Sequence, residues 1–199
     1  MGGGCGRTGE RDVDSGSKRA FEELVLPHLD AAYNFARYLT RNPDDAADVL
    51  QEACIRAFRF FDGFKGGSVR TWLLTIVRNT AYSWMASHRR SNATASIEEH
   101  RIERPLEPFA AVPWERPSED PETRLLLAED QAALMDLIDR LTPEFREVLV
   151  LREIEDLSYR EIAEVTAVPV GTVMSRLARA RRQVQDGWRR HVALEGGGR

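Results

Sequence analysis

Cysteine is nearly missing from this chain. Only Cys5 and Cys54 occur among 199 residues, and they form no CxxC pair. A disulfide framework therefore has no basis. His28, His88, His100 and His191 are scattered without ligand spacing, so neither a metal site nor a cofactor is expected. Cys54 falls in an apolar helical stripe, where a thiol serves as a small core residue. Long apolar runs are absent too. None reaches transmembrane length and the N-terminus has no apolar signal core, which predicts a soluble, cytoplasmic protein without membrane insertion. There is no basic excess either. Lys and Arg number 28 against 32 Asp and Glu, for a net charge of −4 and an isoelectric point of about 5.7. No global positive field draws in nucleic acid. The acids themselves lie mostly on helix surfaces or between domains. They do not group into the carboxylate cluster that a nucleic-acid-processing enzyme needs, so no catalytic residue is expected.

The basic charge that is present is concentrated. From Val170 to His191 six arginines face a single acid, Asp186. They belong to a stretch, Leu157 to Gln185, that reads as two helices with a break. Ser158 and Glu161 have capping-box spacing, and Ile162, Ala163 and Val165 give the first helix a buried side. Pro169 cannot continue the ladder and pushes Val168 out of helical geometry. From about Val170 a second helix turns Val173, Leu177, Ala180 and Val184 inward. Its other face carries Thr172, Ser175, Arg176, Arg179 and Gln183, with Arg181 and Arg182 on the flanks. Hydroxyls and guanidinium groups near a helix start are what base edges and phosphates require, so the stretch resembles a DNA-reading helix-turn-helix. An ordinary helical hairpin with a solvated basic face is the plainer alternative. On an acidic protein, such a helix implies DNA contact that is weak without a partner.

The N-terminal half is also helical. Residues 1–17 are Gly-rich and aperiodic, and are expected to be a disordered tail. Apolar positions from Phe21 to Leu39 mark an amphipathic helix that Pro27 kinks or restarts. Asn42, Pro43, Asp44 and Asp45 supply the cap, first-turn proline and acids of a helix running to about Phe61. Its buried stripe is Ala46, Leu50, Ala53, Cys54, Ala57 and Phe61. Asp48, Gln51 and Glu52 lie on the outward side, where by themselves they suggest only solubility. The loop from Phe60 to Arg70 combines aromatics, glycines and cations, a composition suited to holding an extruded base, although Phe61 reads as core. Helix resumes at Thr71, with Arg78 and Asn79 on its polar side. Residues 91–122 carry five prolines and eight acids and read as an extended linker. The helical pattern returns from about Thr123, and Thr142, Pro143 and Glu144 form a further helix start. A tail is expected from residue 192.

Three blocks resemble the extracytoplasmic-function (group 4) sigma factors of the sigma-70 family: NPDDAADVLQEACIRAF (42–58), FKGGSVRTWLLTIVRNTAYSW (64–84) and LTPEFREVLVLREIEDLSYREIAEVTAVPVGTVMSRLARARRQV (141–184). The resemblance implies an all-α protein of two small helical domains, sigma region 2 over 18–90 and sigma region 4 over 123–191, joined by the linker. It also implies the partners: the clamp and flap of core RNA polymerase, promoter DNA, and an anti-sigma factor. Carried over residue by residue, Asp48, Gln51, Glu52 and Arg56 become the polymerase-binding face. Phe64, Lys65, Ser68, Arg70, Arg78 and Asn79 become the −10 contacts. Thr172, Ser175, Arg176, Arg179 and Arg182 become the −35 contacts. Two departures stand out: Met174 replaces the basic or polar residue common before the Ser-Arg pair, and the loop before Trp72 is shorter than in some relatives. A stand-alone helix-turn-helix regulator is the alternative, but it has no need of the 42–84 block.

Overall fold

The computed structural model describes residues 15–94 and 121–196, and every regular element among them is helical. The chain enters through α1 (Ser15–Val25) and α2 (Leu29–Thr40), with a short 3-10 turn at Leu26–His28 between them. Pro27 lies in the first turn of that 3-10 segment, so the expected restart occurs. Ser15 to Ser17, expected in the tail, already belong to α1, and residues 1–14 lie outside the described residues.

After α2 the chain reverses at Arg41, whose φ is 62°. The Asn42 side chain accepts from the N–H groups of Asp44 and Asp45, and α3 (Pro43–Phe60) starts at the expected cap. Following a 3-10 turn at Phe61–Gly63, α4 (Val69–Thr94) begins slightly earlier than its apolar pattern indicates. The cause is local: the Ser68 hydroxyl accepts the Thr71 N–H at 3.2 Å and draws in the preceding turn. The helix also overruns the expected linker start, and residues 95–120 lie outside the described residues.

The second half comprises α5 (Pro121–Asp139), α6 (Pro143–Glu153), α7 (Tyr159–Thr166) and α8 (Val170–Gly196). At α6 the expected Thr142 cap makes no side-chain hydrogen bond, and Pro143 and Glu144 mark the start without it. At α7 the capping box is complete in both directions between Ser158 and Glu161. The turn to α8 is made by Ala167 at φ 54°, followed by Pro169. Contrary to the expected tail at 192, α8 continues to Gly196. Gly187 does not end it because that glycine faces Leu137: a Cβ there would sit 2.3 Å from Leu137 Cδ2. The missing side chain lets α5 and α8 approach.

One continuous core holds both halves. Phe35, Leu39, Val49, Leu73, Leu74 and Val77 are buried in the first, with Ala46, Ala53 and Ala57 providing the close face of α3. Val148, Leu151, Ile162, Val165, Val173 and Leu177 are buried in the second. Each fully buried Leu, Val or Phe contributes about 1.5–3 kcal/mol. The halves meet where α2 packs on α6 and α4 packs on α7. Arg146, 3% exposed, sits at this seam. Its guanidinium donates to the carbonyls of Ile138, Asp139 and Leu141 at the end of α5, and across to Tyr38 at 3.1 Å. Burial lowers its pKa, and Asp139 partly restores it.

Candidate functional site

The outward face of α8 carries the residues expected there. Ser175, Arg179 and Arg182 are exposed and Thr172 is half-buried. The Ser175 hydroxyl donates to the Thr172 carbonyl at 3.0 Å, which holds its oxygen along the helix. Val173, Leu177 and Ala180 are buried on the opposite side, so the helical period aims the polar residues outward. Val170 and Met174 add apolar surface, with Met174 51% exposed. Arg181 is committed to bracing: it donates to Glu153 of α6 at 2.9 and 2.6 Å.

Arg176 differs from its neighbours. It is turned toward the first half of the chain, with Nη1 3.6 Å from Oε1 of the buried Glu147. The same carboxylate takes Arg78 of α4: Nε donates to Oε2 at 2.7 Å and Nη2 to Oε1 at 3.3 Å. The Tyr82 hydroxyl donates to Oε2 at 3.0 Å. Glu147 is 0% exposed and so meets the requirement that a buried charge be paired and hydrogen-bonded. Burial, then the negative charge of Glu147, pushes the Tyr82 phenol well above its ordinary range.

Two turns earlier on α4, Arg70 pairs with Glu155, which is also buried. Burial raises the Glu155 carboxyl pKa, and the Arg70 hydrogen bond opposes that rise. Beside it, Thr71 and Glu161 approach to 3.4 Å. Asn79, the neighbour of Arg78, remains exposed.

The glycine loop before α4 forms an open depression of about 330 Å³. Phe64 lies beside Phe61 at 6.4 Å in a stacked arrangement and beside Trp72 at 5.2 Å, giving one aromatic wall. Gly66 and Gly67, at φ 94° and 102°, turn the chain back in a conformation that a side chain would strain. Lys65 and Ser68 are exposed on the rim, and Glu164 of α7 closes one side. Phe61 packs against the core, as expected.

On α3, Asp48, Gln51 and Glu52 are exposed, and Arg56 donates to Glu52 at 2.8 Å. Ile55, 41% exposed, shares their face by helical spacing and makes it amphipathic. Cys54 is half-buried, and burial raises its thiol pKa. Among the described residues no group of His, Cys, Asp and Glu is placed to hold a metal ion, and no helix is long and apolar enough to cross a membrane.

Sequence reasoning missed Glu147, Glu155 and Glu164. For Glu147 a signal exists: it precedes Val150 and Leu151 by three and four residues, on the buried stripe of α6.

Family profiles match in two places: "Sigma-70 region 2" over residues 24–91 and "Sigma-70, region 4" over residues 131–184. The chain is 35% identical over 176 residues to the ECF RNA polymerase sigma-E factor of Haemophilus influenzae, covering 87% of this chain and 90% of that one. It is 35% identical over 173 residues to the RNA polymerase sigma-H factor of Pseudomonas aeruginosa, covering 86% and 88%. Its fold matches that of the sigma factor RpoE from Bartonella quintana, crystallised with the anti-sigma factor NepR. That likeness has a TM-score of 0.67 and 25% identity, and covers 86% of this chain and 98% of the other.

Proposed function

Since the chain belongs to the ECF sigma factors of the sigma-70 family, we propose that it directs core RNA polymerase in the cytoplasm to promoters that its two helical halves read together. Residues 18–90 hold the polymerase clamp through Asp48, Gln51, Glu52 and Arg56. They open the −10 element around the loop of Phe64, Lys65 and Ser68, with Arg70, Arg78 and Asn79 on the promoter strand. Residues 123–191 dock on the flap and read the −35 element with Thr172, Ser175, Arg176, Arg179 and Arg182, and residues 91–122 link the two. An anti-sigma factor holds the protein inactive, as one is bound to the similar Bartonella quintana protein. The chain contributes sequence choice and strand trapping, and polymerase supplies most of the DNA affinity.

One observation carries this reading: α8, led in by a capped α7 and a tight turn, presents hydroxyls and guanidinium groups outward at its start. A stand-alone regulator needs neither the glycine loop nor the amphipathic face of α3. Run-off transcription with core polymerase over a promoter library tests the reading. Arg179→Ala is expected to lose about 1–3 kcal/mol at one −35 position if it contacts a base bidentately. Unchanged −35 dependence in that variant removes Arg179 from the readers.

A further inference from the structure

Beside the polar residues of α8 runs a column of different chemistry. Val170, Met174 and Ala178 follow one another at four-residue spacing, so they share one flank of the helix, next to Gly171, Ser175 and Arg179. All three are exposed, Val170 by 38% and Met174 by 51%. Arg181, about two turns beyond Met174 on the same flank, has its guanidinium committed to Glu153. A Cβ at Gly171 would meet nothing within 4 Å, so no part of the described chain fills the surface beside the column. Apolar residues scattered singly over a surface need no explanation. Three in register at the start of a basic helix call for one.

We propose that Val170, Met174 and Ala178 select thymine in the −35 element by covering its C5 methyl group, with Met174 as the deciding residue. The proposal rests on the assignment of this face of α8 to −35 DNA and adds the base chemistry that one flank selects. The occupant follows from where the column sits. It adjoins the hydroxyl and guanidinium column, and from Val170 to His191 six arginines stand against one acid, so the complement of this helix is a polyanion. On the floor of the major groove the thymine methyl is the one apolar group that projects. Purines and cytosine present polar donors and acceptors there, which an alkyl side chain cannot satisfy. Met174 is unbranched, with three rotatable bonds and a polarisable sulfur, so it covers a methyl without demanding a single geometry. Val170 and Ala178 are shorter and border the contact one turn to either side. Thymine is therefore favoured at the base facing Met174 by about fourfold, the factor that one buried methyl supplies.

The test uses the full chain assembled with core polymerase. Promoters recovered from the library should share an A·T pair at one −35 position. Each −35 thymine, on either strand, is then replaced in turn by deoxyuridine, which removes the methyl and keeps the pairing. Wild type is expected to lose about fourfold in promoter affinity at the thymine facing Met174. Met174→Ala, a change at an exposed position, should keep the wild-type urea midpoint and bind the thymine and deoxyuridine promoters equally. A deoxyuridine loss that persists at full size in Met174→Ala overturns the role of Met174. Methyl-insensitive binding at every thymine, with a scrambled −35 element still harmful, overturns the proposal and leaves −35 reading by α8 standing. Binding indifferent to the scrambled element overturns −35 reading itself, and the proposal with it.

Discussion

Ala167 makes the turn between α7 and α8 with φ 54°, a conformation in which its Cβ crowds the following carbonyl. The strain costs roughly 1–2 kcal/mol, and glycine avoids it while adding about 0.5–1 kcal/mol of unfolded-state entropy. Ala167→Gly is therefore expected to stabilise the protein by about 0.5–1 kcal/mol, read as a higher urea midpoint at unchanged slope. A lower midpoint would mean that the Ala167 methyl makes packing contacts that outweigh the strain. Residues whose partners are close in sequence were legible beforehand: Asn42 caps amides two and three positions on, and Ser158 caps one three positions on. Glu147 was not, because it meets Arg78 across 69 residues of sequence. An acid beside an arginine in a helix reads as surface until the other half of the molecule is placed against it.

At the scale of elements, α7 depends on its capping box. Ser158→Ala removes the acceptor for the Glu161 N–H and should cost about 1 kcal/mol. The reciprocal half of the box titrates. Hydrogen bonds from Ser158 hold the Glu161 carboxyl below its ordinary value of 4.5. A depressed carboxyl contributes stability above its unfolded pKa and loses it as pH falls through the folded value. Glu161→Gln keeps the hydrogen-bonding shape without the titration, so its stability should fall less than wild type between neutral pH and pH below 4.5, measured by urea unfolding at each. Burial raises Asp139 and Glu155 instead; their contribution is present in acid and declines as pH rises. They are common to both proteins and cancel in the comparison. Equal losses would show that Glu161 is not the titrating group. Helix starts were legible here because caps and prolines act locally, whereas the end of α8 was not. A glycine inside a helix gives no local sign of its role, and only the contact of Gly187 with Leu137 reveals a crossing point.

The whole molecule adds what neither half contains. The family blocks imply two helical units and their partners, but they carry no information about how the units sit together, since a long linker permits many arrangements. In the folded chain Arg146 ties α5 to α2, and Glu147 of α6 and Glu155 of the turn after it pair with Arg78 and Arg70 of α4. Arg78 and Arg176 are thus both drawn to the seam while the α3 face stays open. This asymmetry makes the α3 face separable from the rest. Among the described residues Glu52 is exposed and pairs with its neighbour Arg56, an interaction worth a few tenths of a kcal/mol. Glu52→Lys should therefore change the unfolding free energy by no more than about 0.5 kcal/mol and leave the radius of gyration as it is. If α3 is the clamp surface, the same change reverses a charge in the interface and should weaken binding to core polymerase by about tenfold or more. A titration of labelled protein with core polymerase reads that loss. Wild-type affinity in the folded variant would move polymerase contact away from Glu52, toward apolar residues of the same face such as Ile55.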